Sequence, residues 1–277
     1  MFFSNSLLSV VSVQIRNACT FPFPEILPLS TQFLTTIKCR VNFSSCWLAA
    51  ENSFGAQGGG GLGVDVALPG LDAGAFRCMK EKAGLDWTVF RAFHSFGAFD
   101  NSSLVNLELS QKAGIKTTDV YMFPCRGKDA RAQVKELMAG LANAVFTTVW
   151  LDVEENPSTG CSWKPSDGED PGTVVKGNCQ FLETLISALT RTGTVVGVYS
   201  SHYEWNQTVG LSCTAASSMP LWYSHYDKKS DCTDFEQLPF GGWTRAFAKQ
   251  FDDNVGGNPA LNECIGEKVP ADIDVLC

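Results

Sequence analysis

Thr147 to Glu154 reads TTVWLDVE and runs straight into Glu155, Asn156 and Pro157. Five of its eight residues are β-branched or aromatic. Asn-Pro stops the run, so the stretch predicts a buried strand that ends in a loop. Side chains alternate along a strand, which places Trp150, Asp152 and Glu154 on one face and Val149, Leu151 and Val153 on the other. Two carboxylates on one face repel each other, and one of them is expected to keep its proton to a higher pH. One acid to donate and one to stay ionised is what acid catalysis on a glycosidic bond requires. Two solvated acids at a strand end are the ordinary alternative; the apolar reverse face and the adjacent Trp weigh against it.

Outward from this strand, short apolar runs alternate with helical stretches. Upstream, Asp129 to Ala144 carries Ala130, Val134, Leu137, Met138 and Leu141 at steps of three and four, a helix. Before it come a strand at Thr118 to Phe123 stopped by Pro124, a helix at Leu104 to Ala113 closed by Gly114, and a strand at Trp87 to Phe93. A helix around Phe76 to Ala83 stops at Gly84. The first strand, Leu62 to Leu68 (LGVDVAL), sets Leu62, Val64, Val66 and Leu68 on one face and Gly63, Asp65 and Ala67 on the other. Large residues outward and small ones inward is the pattern of a barrel strand.

Downstream, a loop rich in Pro, Gly, Ser and Asp is expected from Asn156 to Gly177, long enough to form one wall of a cleft. A helix with Phe181, Leu182, Leu185, Ile186 and Leu189 on one face follows and ends near Gly193. Strands are expected at Thr194 to Ser200 and Leu221 to Tyr226, then at Thr244 to Phe251 and Ala271 to Leu276 with only loops between. Five strand-helix units and three further strands predict an eight-stranded, parallel-type α/β barrel, TIM-like, over residues 61–277.

The 277 residues carry 29 acidic and 21 basic side chains, a net charge of -8, which disfavours nucleic acid as a partner. No apolar run is long enough to span a membrane. The acidic balance predicts an activity optimum below neutrality. Eight of the 11 cysteines lie after residue 60, an even number that suits an oxidising, secretory route. Their pairing is not readable from spacing; a Cys161–Cys179 bridge across the loop they flank is the expectation. The triplets Asn101-Ser-Ser and Asn206-Gln-Thr fit a secreted chain. Residues 1–60, with Pro22, Pro24, Pro28 and the glycine run Gly58 to Gly61, read as a leader and linker.

In a barrel of this kind, chemistry sits at the carboxyl ends of the strands. Asp65 on the first strand, Asp152 and Glu154 on the fourth, and Asp272 and Asp274 on the last are expected to converge on one mouth. Tyr121, Tyr199, Trp222 and Tyr226 fall at or near strand ends, where flat rings can stack on sugars. Core packing is the ordinary role for strand aromatics, and the ligand reading is strongest for Trp222 and Tyr199. His94, His202 and His225 show no metal spacing, and Arg91 is expected either to pair with one of these acids or to form a buried structural ion pair. No metal or organic cofactor is implied.

The ordered motifs LGVDVAL, VYMFP, VWLDVE, VGVYSS, LWYSHY, AFAKQF and ADIDV resemble the successive strands of glycoside hydrolase family 25, over about residues 61 to 277. The resemblance implies a (βα)5β3 barrel and an N,O-diacetylmuramidase that cuts peptidoglycan between N-acetylmuramic acid and N-acetylglucosamine. It implies Glu154 as general acid, Asp152 as support for the 2-acetamido group or the cationic transition state, and Asp65 as the first-strand acid. The last-strand acid of the family stands in Val-Asp-Leu-Asn; Asp274 in Ile-Asp-Val-Leu is taken as its match, with Asp272 as the substitute. The implied partner is the peptidoglycan glycan strand, met by a monomer, outside the cell or in a lysosome-like compartment. A chitinase-like barrel would end its fourth strand D-x-D-x-E, and Trp150 stands where the first Asp belongs. A sugar-binding protein that has lost catalysis finds its only support in the altered setting of Asp274.

Overall fold

The structure, a computed structural model, describes residues 61–265 and 269–277. The leader and linker expected before them lie outside the described residues. Eight strands close into a ring. β1 (Leu62–Val66) pairs with β2 (Leu85–His94), whose far end also carries the two-residue β3 (Ala98–Phe99) folded back on it. The ring continues through β4 (Thr117–Met122), β5 (Thr148–Asp152), β6 (Val195–Ser200), β7 (Leu221–Ser224), β8 (Ala248–Asp252) and β9 (Ala271–Leu276), which pairs back with β1. Helices α1 (Ala73–Ala83), α2 (Ser102–Lys112), α3 (Ala130–Gly140), α4 (Pro171–Thr190) and α5 (His202–Thr208) follow β1, β3, β4, β5 and β6.

Three expectations are corrected. The barrel is parallel except at β9, which runs antiparallel to both β1 and β8. The connection before it is not loop alone: it contains a 3-10 turn and α6 (Pro259–Ile265). A seven-residue helix advances the chain by only about 10 Å, about half the length of a barrel strand. The chain therefore stays near the mouth and enters β9 from there. The loop expected to reach Gly177 is also shorter, because α4 begins at Pro171. Asp170 accepts a hydrogen bond from the Thr173 amide at 2.8 Å and Pro171 presets the first turn, so Pro and Gly here mark a helix start. Third, Cys161 pairs with Cys125 and Cys179 with Cys213; the other bridges are Cys78–Cys264 and Cys232–Cys277.

The main core lies between the outer barrel face and the helices, where Val64, Val66, Val149, Leu151, Val153, Val196 and Val198 meet Phe76, Leu137, Leu182 and Leu185. Inside the ring three indoles, Trp87, Trp150 and Trp222, pack edge to face with centroids 5.5–6.0 Å apart. They fit because glycines face them: a Cβ on Gly63 would lie 2.5 Å from Trp87 and one on Gly197 2.4 Å from Trp150. A buried indole needs an acceptor for its N–H. Asp119 Oδ2 provides it for Trp87 at 2.8 Å and for Trp150 at 2.9 Å, while Oδ1 accepts from the Thr148 amide. The indoles form a floor on which the cleft rests.

Candidate active site

Above the indole floor the barrel opens into a cleft lined by Asp65, Tyr121, Asp152, Glu154, Tyr199, Trp222, Tyr226, Gln250 and Asp272. Each position follows from strand alternation. Trp150 and Asp152 share the inner face of β5, with Glu154 two residues on, just past the strand end. Asp65 is on the inner face of β1, and the register of β1 with β9 sets it opposite Asp272. Asp274 is opposite Gly63, one step nearer the floor. A strand that runs down from the mouth brings its earlier acid to the rim and its later one to the bottom. Asp274 is therefore fully buried, accepts a hydrogen bond from Trp222 Nε1 at 2.9 Å and does not line the cleft. Of the two acids expected on the last strand, Asp272 lines the cleft and Asp274 lies beneath it.

Gln250 holds the cleft together. Its Nε2 donates to Asp65 Oδ2 at 2.7 Å and to Asp272 Oδ2 at 3.2 Å. Its Oε1 accepts from the hydroxyls of Tyr199 at 2.5 Å and Tyr226 at 2.8 Å. A flipped amide would set its oxygen against two carboxylates, so the network fixes its orientation. Sequence reading passed over this residue within AFAKQF, although alternation from the small inner Ala248 would have turned it inward.

Among the described residues no cation pairs with any of these acids. Arg91 pairs with Asp100 at 2.9 Å, which His94 also approaches at 3.4 Å, a structural ion pair away from the cleft acids. Burial without a countercharge disfavours ionisation. Burial first, then the charges of Glu204 and Asp272, push Glu154 up to about 7. Burial, then Asp253 and Asp252, push Asp272 up to about 6. Asp65 is raised well above the usual range by burial, Asp272 and Glu154. Asp152 is raised as well, by burial and then by Glu154, and among the described residues its Oδ1 has no hydrogen-bond partner. The expected division has Glu154 neutral and Asp152 charged; burial and neighbouring carboxylates push both acids upward.

The walls are built from loops at the same end of the barrel. Asn156 donates to the carbonyls of Ser95 at 2.8 Å and Pro124 at 3.2 Å, and Cys125–Cys161 joins the loops after β4 and β5. Glu204, in the first turn of α5, accepts from the Glu155 amide at 2.8 Å and so stands one peptide from Glu154. The expected aromatics divide. Tyr121, Tyr199 and Trp222 line the cleft but are largely enclosed, whereas Tyr226 is 48% exposed at the rim. Trp222, with its N–H on Asp274, belongs mainly to the floor.

Comparison with known proteins gives a consistent result. The model of the family described as lysozyme-like protein 1 matches residues 57–251. A probable GH family 25 lysozyme of Dictyostelium discoideum is 35% identical over 201 residues, which are 69% of this chain and 87% of that protein. Lysozyme-like protein 5 of Caenorhabditis elegans is 30% identical over 200 residues, 70% of this chain and 85% of that one. Among solved structures, the muramidase of Acremonium alcalophilum superposes with a TM-score of 0.56 at 16% identity, over 78% of this chain and 93% of that one. A family GH25 lysozyme of Aspergillus fumigatus gives 0.54 at 15% identity, over 79% and 94%. At such identities the superpositions speak for the fold.

Proposed function

Since this chain belongs to the lysozyme-like branch of glycoside hydrolase family 25, we propose that it cleaves the β-1,4 bond between N-acetylmuramic acid and N-acetylglucosamine in peptidoglycan, with Glu154 as the general acid. The observation that carries this reading is the carboxyl of Glu154 at the open side of a ring of acids that, among the described residues, has no cation paired with it; burial and neighbouring acids push that carboxyl up to about 7. Below that pH it holds the proton that the departing glycosidic oxygen must receive. The unpartnered Oδ1 of buried Asp152 suits the N–H of a 2-acetamido group. That hydrogen bond supports the acetamido oxygen as it closes on the anomeric carbon and the leaving sugar takes the proton of Glu154. Water then opens the intermediate, giving one proton back to Glu154 and its oxygen to the anomeric carbon. Asp65 and Asp272, held by Gln250, face the developing positive charge from the β1 and β9 side.

All of these groups come from one chain, so the site is complete in a monomer. Four disulfides suit an oxidising compartment, and the protonated Glu154 suits an acidic one. We place the protein outside the cell or in a lysosome-like vesicle, with residues 61–277 as the catalytic barrel and 1–60 as leader and linker. Mass analysis of the products from purified peptidoglycan tests the reaction: a new reducing end on N-acetylmuramic acid is expected, and intact glycan strands would refute it. Glu154→Gln should lower the rate by about 10²- to 10⁴-fold while the unfolding midpoint is kept. A variant with most of its activity would remove Glu154 from the role.

A further inference from the structure

Asp274 is 0% exposed, yet among the described residues only one of its two oxygens is served: Oδ1 accepts from Trp222 Nε1 at 2.9 Å, and Oδ2 has no N–H or O–H donor. The group that Asp274 meets on the β1 side is the carboxyl of Asp65. Two buried carboxylates in contact repel strongly; they attract only when one carries a proton, which then forms a hydrogen bond between them. The two acids are not equivalent. Asp65 lines the cleft and accepts from Gln250 Nε2 at 2.7 Å, a donor that favours its charged form. Asp274 is sealed beneath it and has the neutral indole alone.

We propose that Asp274 is a positioning residue that keeps its proton at neutral pH and donates it to Asp65, doing as an acid what an amide would do in that seat. Asp65 is then a carboxylate held by two donors, Gln250 and Asp274, and is aimed at the cleft. The proposal deepens the hydrolase reading above, because it assigns the state of one of that site's acids. The charged or titratable groups near Asp274 are Asp65 across the β1 pairing and Asp272 on its own strand; Gln250 of β8 and Trp222 of β7 are neutral. Burial and the Asp65 charge both push the Asp274 carboxyl up.

The sign of the pH effect follows. A carboxyl raised in the folded state contributes stability that is full below the ordinary carboxylate range and is lost as pH rises through its folded pKa. Thermal midpoints of the full-length wild type, Asp274→Asn and Asp274→Leu across pH 4 to 8, about the span over which a raised carboxyl titrates, test this without reference to activity. Asp274→Asn is expected to flatten the decline of the midpoint with pH, and to remove one component from the protonated-acid infrared carbonyl bands that the wild type shows at neutral pH while those of the cleft acids remain. Parallel midpoint curves, or an unchanged set of bands in the Asn variant, would overturn the proposal. On peptidoglycan, Asp274→Leu leaves Asp65 without its second donor and is expected to lower kcat about tenfold to a hundredfold. Asp274→Asn should recover most of that loss and move the alkaline limb of the pH profile. An Asn variant as slow as the Leu variant would refute the donor role. Should the wild type fail to cleave peptidoglycan at all, the midpoint and infrared tests would still decide the state of Asp274.

Discussion

Lys249 and Gln250 are neighbours on β8, and alternation sends them to opposite sides of the barrel wall. The outward Lys249 is 0% exposed and its ammonium is shared between Asp227 at 2.7 Å and Asp234 at 2.9 Å. Tyr223 and His225 donate to the same Asp234. Burial alone would raise Asp234, yet hydrogen bonds from His225, Lys249 and Tyr223 hold it at about 2. The inward Gln250 faces acids that pair with no cation among the described residues, and there Glu154 is held at about 7 and Asp272 at about 6. The outer acid is also the less deeply enclosed of the two kinds, so a supplied cation and shallower burial together lead to the opposite charge state. The outer cluster fastens a loop; the inner one stores protons.

The comparison can be broken most severely at Lys249. Lys249→Met leaves two acids facing each other behind the wall and should cost about 3–5 kcal/mol of stability by denaturant unfolding. Neutralising Asp227 and Asp234 in the same chain should restore a large part of it, and a triple variant no better than the single one would contradict the pairing account. Next in size is Gln250→Glu. It removes the amide donor to Asp65 and Asp272 and adds a further acid, so about 1–3 kcal/mol should be lost at neutral pH and less at pH 4 to 5, with a fall in kcat.

The two clusters should also differ in the sign of their pH dependence. Glu154 and Asp272 are raised, so the stability they contribute is full below the ordinary carboxylate range and disappears as pH rises through about 6 to 7. Asp234 is depressed, so its contribution is present above that range and is lost as pH falls toward about 2. Thermal midpoints of Glu154→Gln and Asp234→Asn against pH should therefore part from the wild type at opposite ends of the scale. The smallest effect is expected at Glu204. Glu204→Gln removes the neighbouring charge that, after burial, does most to raise Glu154, and should shift the alkaline limb of activity downward by less than about one pH unit. An unmoved limb would show that burial alone sets that proton.

The inner face of the barrel was legible in the sequence wherever one strand explained itself. Period-two alternation in TTVWLDVE and LGVDVAL turned Asp152, Glu154 and Asp65 inward, and the presence of helices α1 to α4 followed from glycine stops and steps of three and four, although the start of α4 at Pro171 was read as loop. What could not be read depended on partners far along the chain. The direction of β9 decides between Asp272 and Asp274, and it is set by a connection whose short helix has too weak a period to see. Cys125–Cys161 and Cys179–Cys213 join elements that become neighbours only when the ring closes. Gln250 looks like any polar strand residue until Tyr199, Tyr226, Asp65 and Asp272 arrive around it. The charge states were the least accessible, since Asp152 is shifted by how deeply the finished barrel encloses it.

The reversed last strand has a practical consequence. Because β9 descends from the mouth, Cys277 lies at the opposite end of the barrel, with its amide bonded to the Phe247 carbonyl just ahead of β8. A linker grafted after this residue would emerge from the underside. Chains tethered to a bead or a sensor chip in that way would present their openings outward to a bulky polymer, whereas attachment through the segment that joins β8 to β9 would obstruct it.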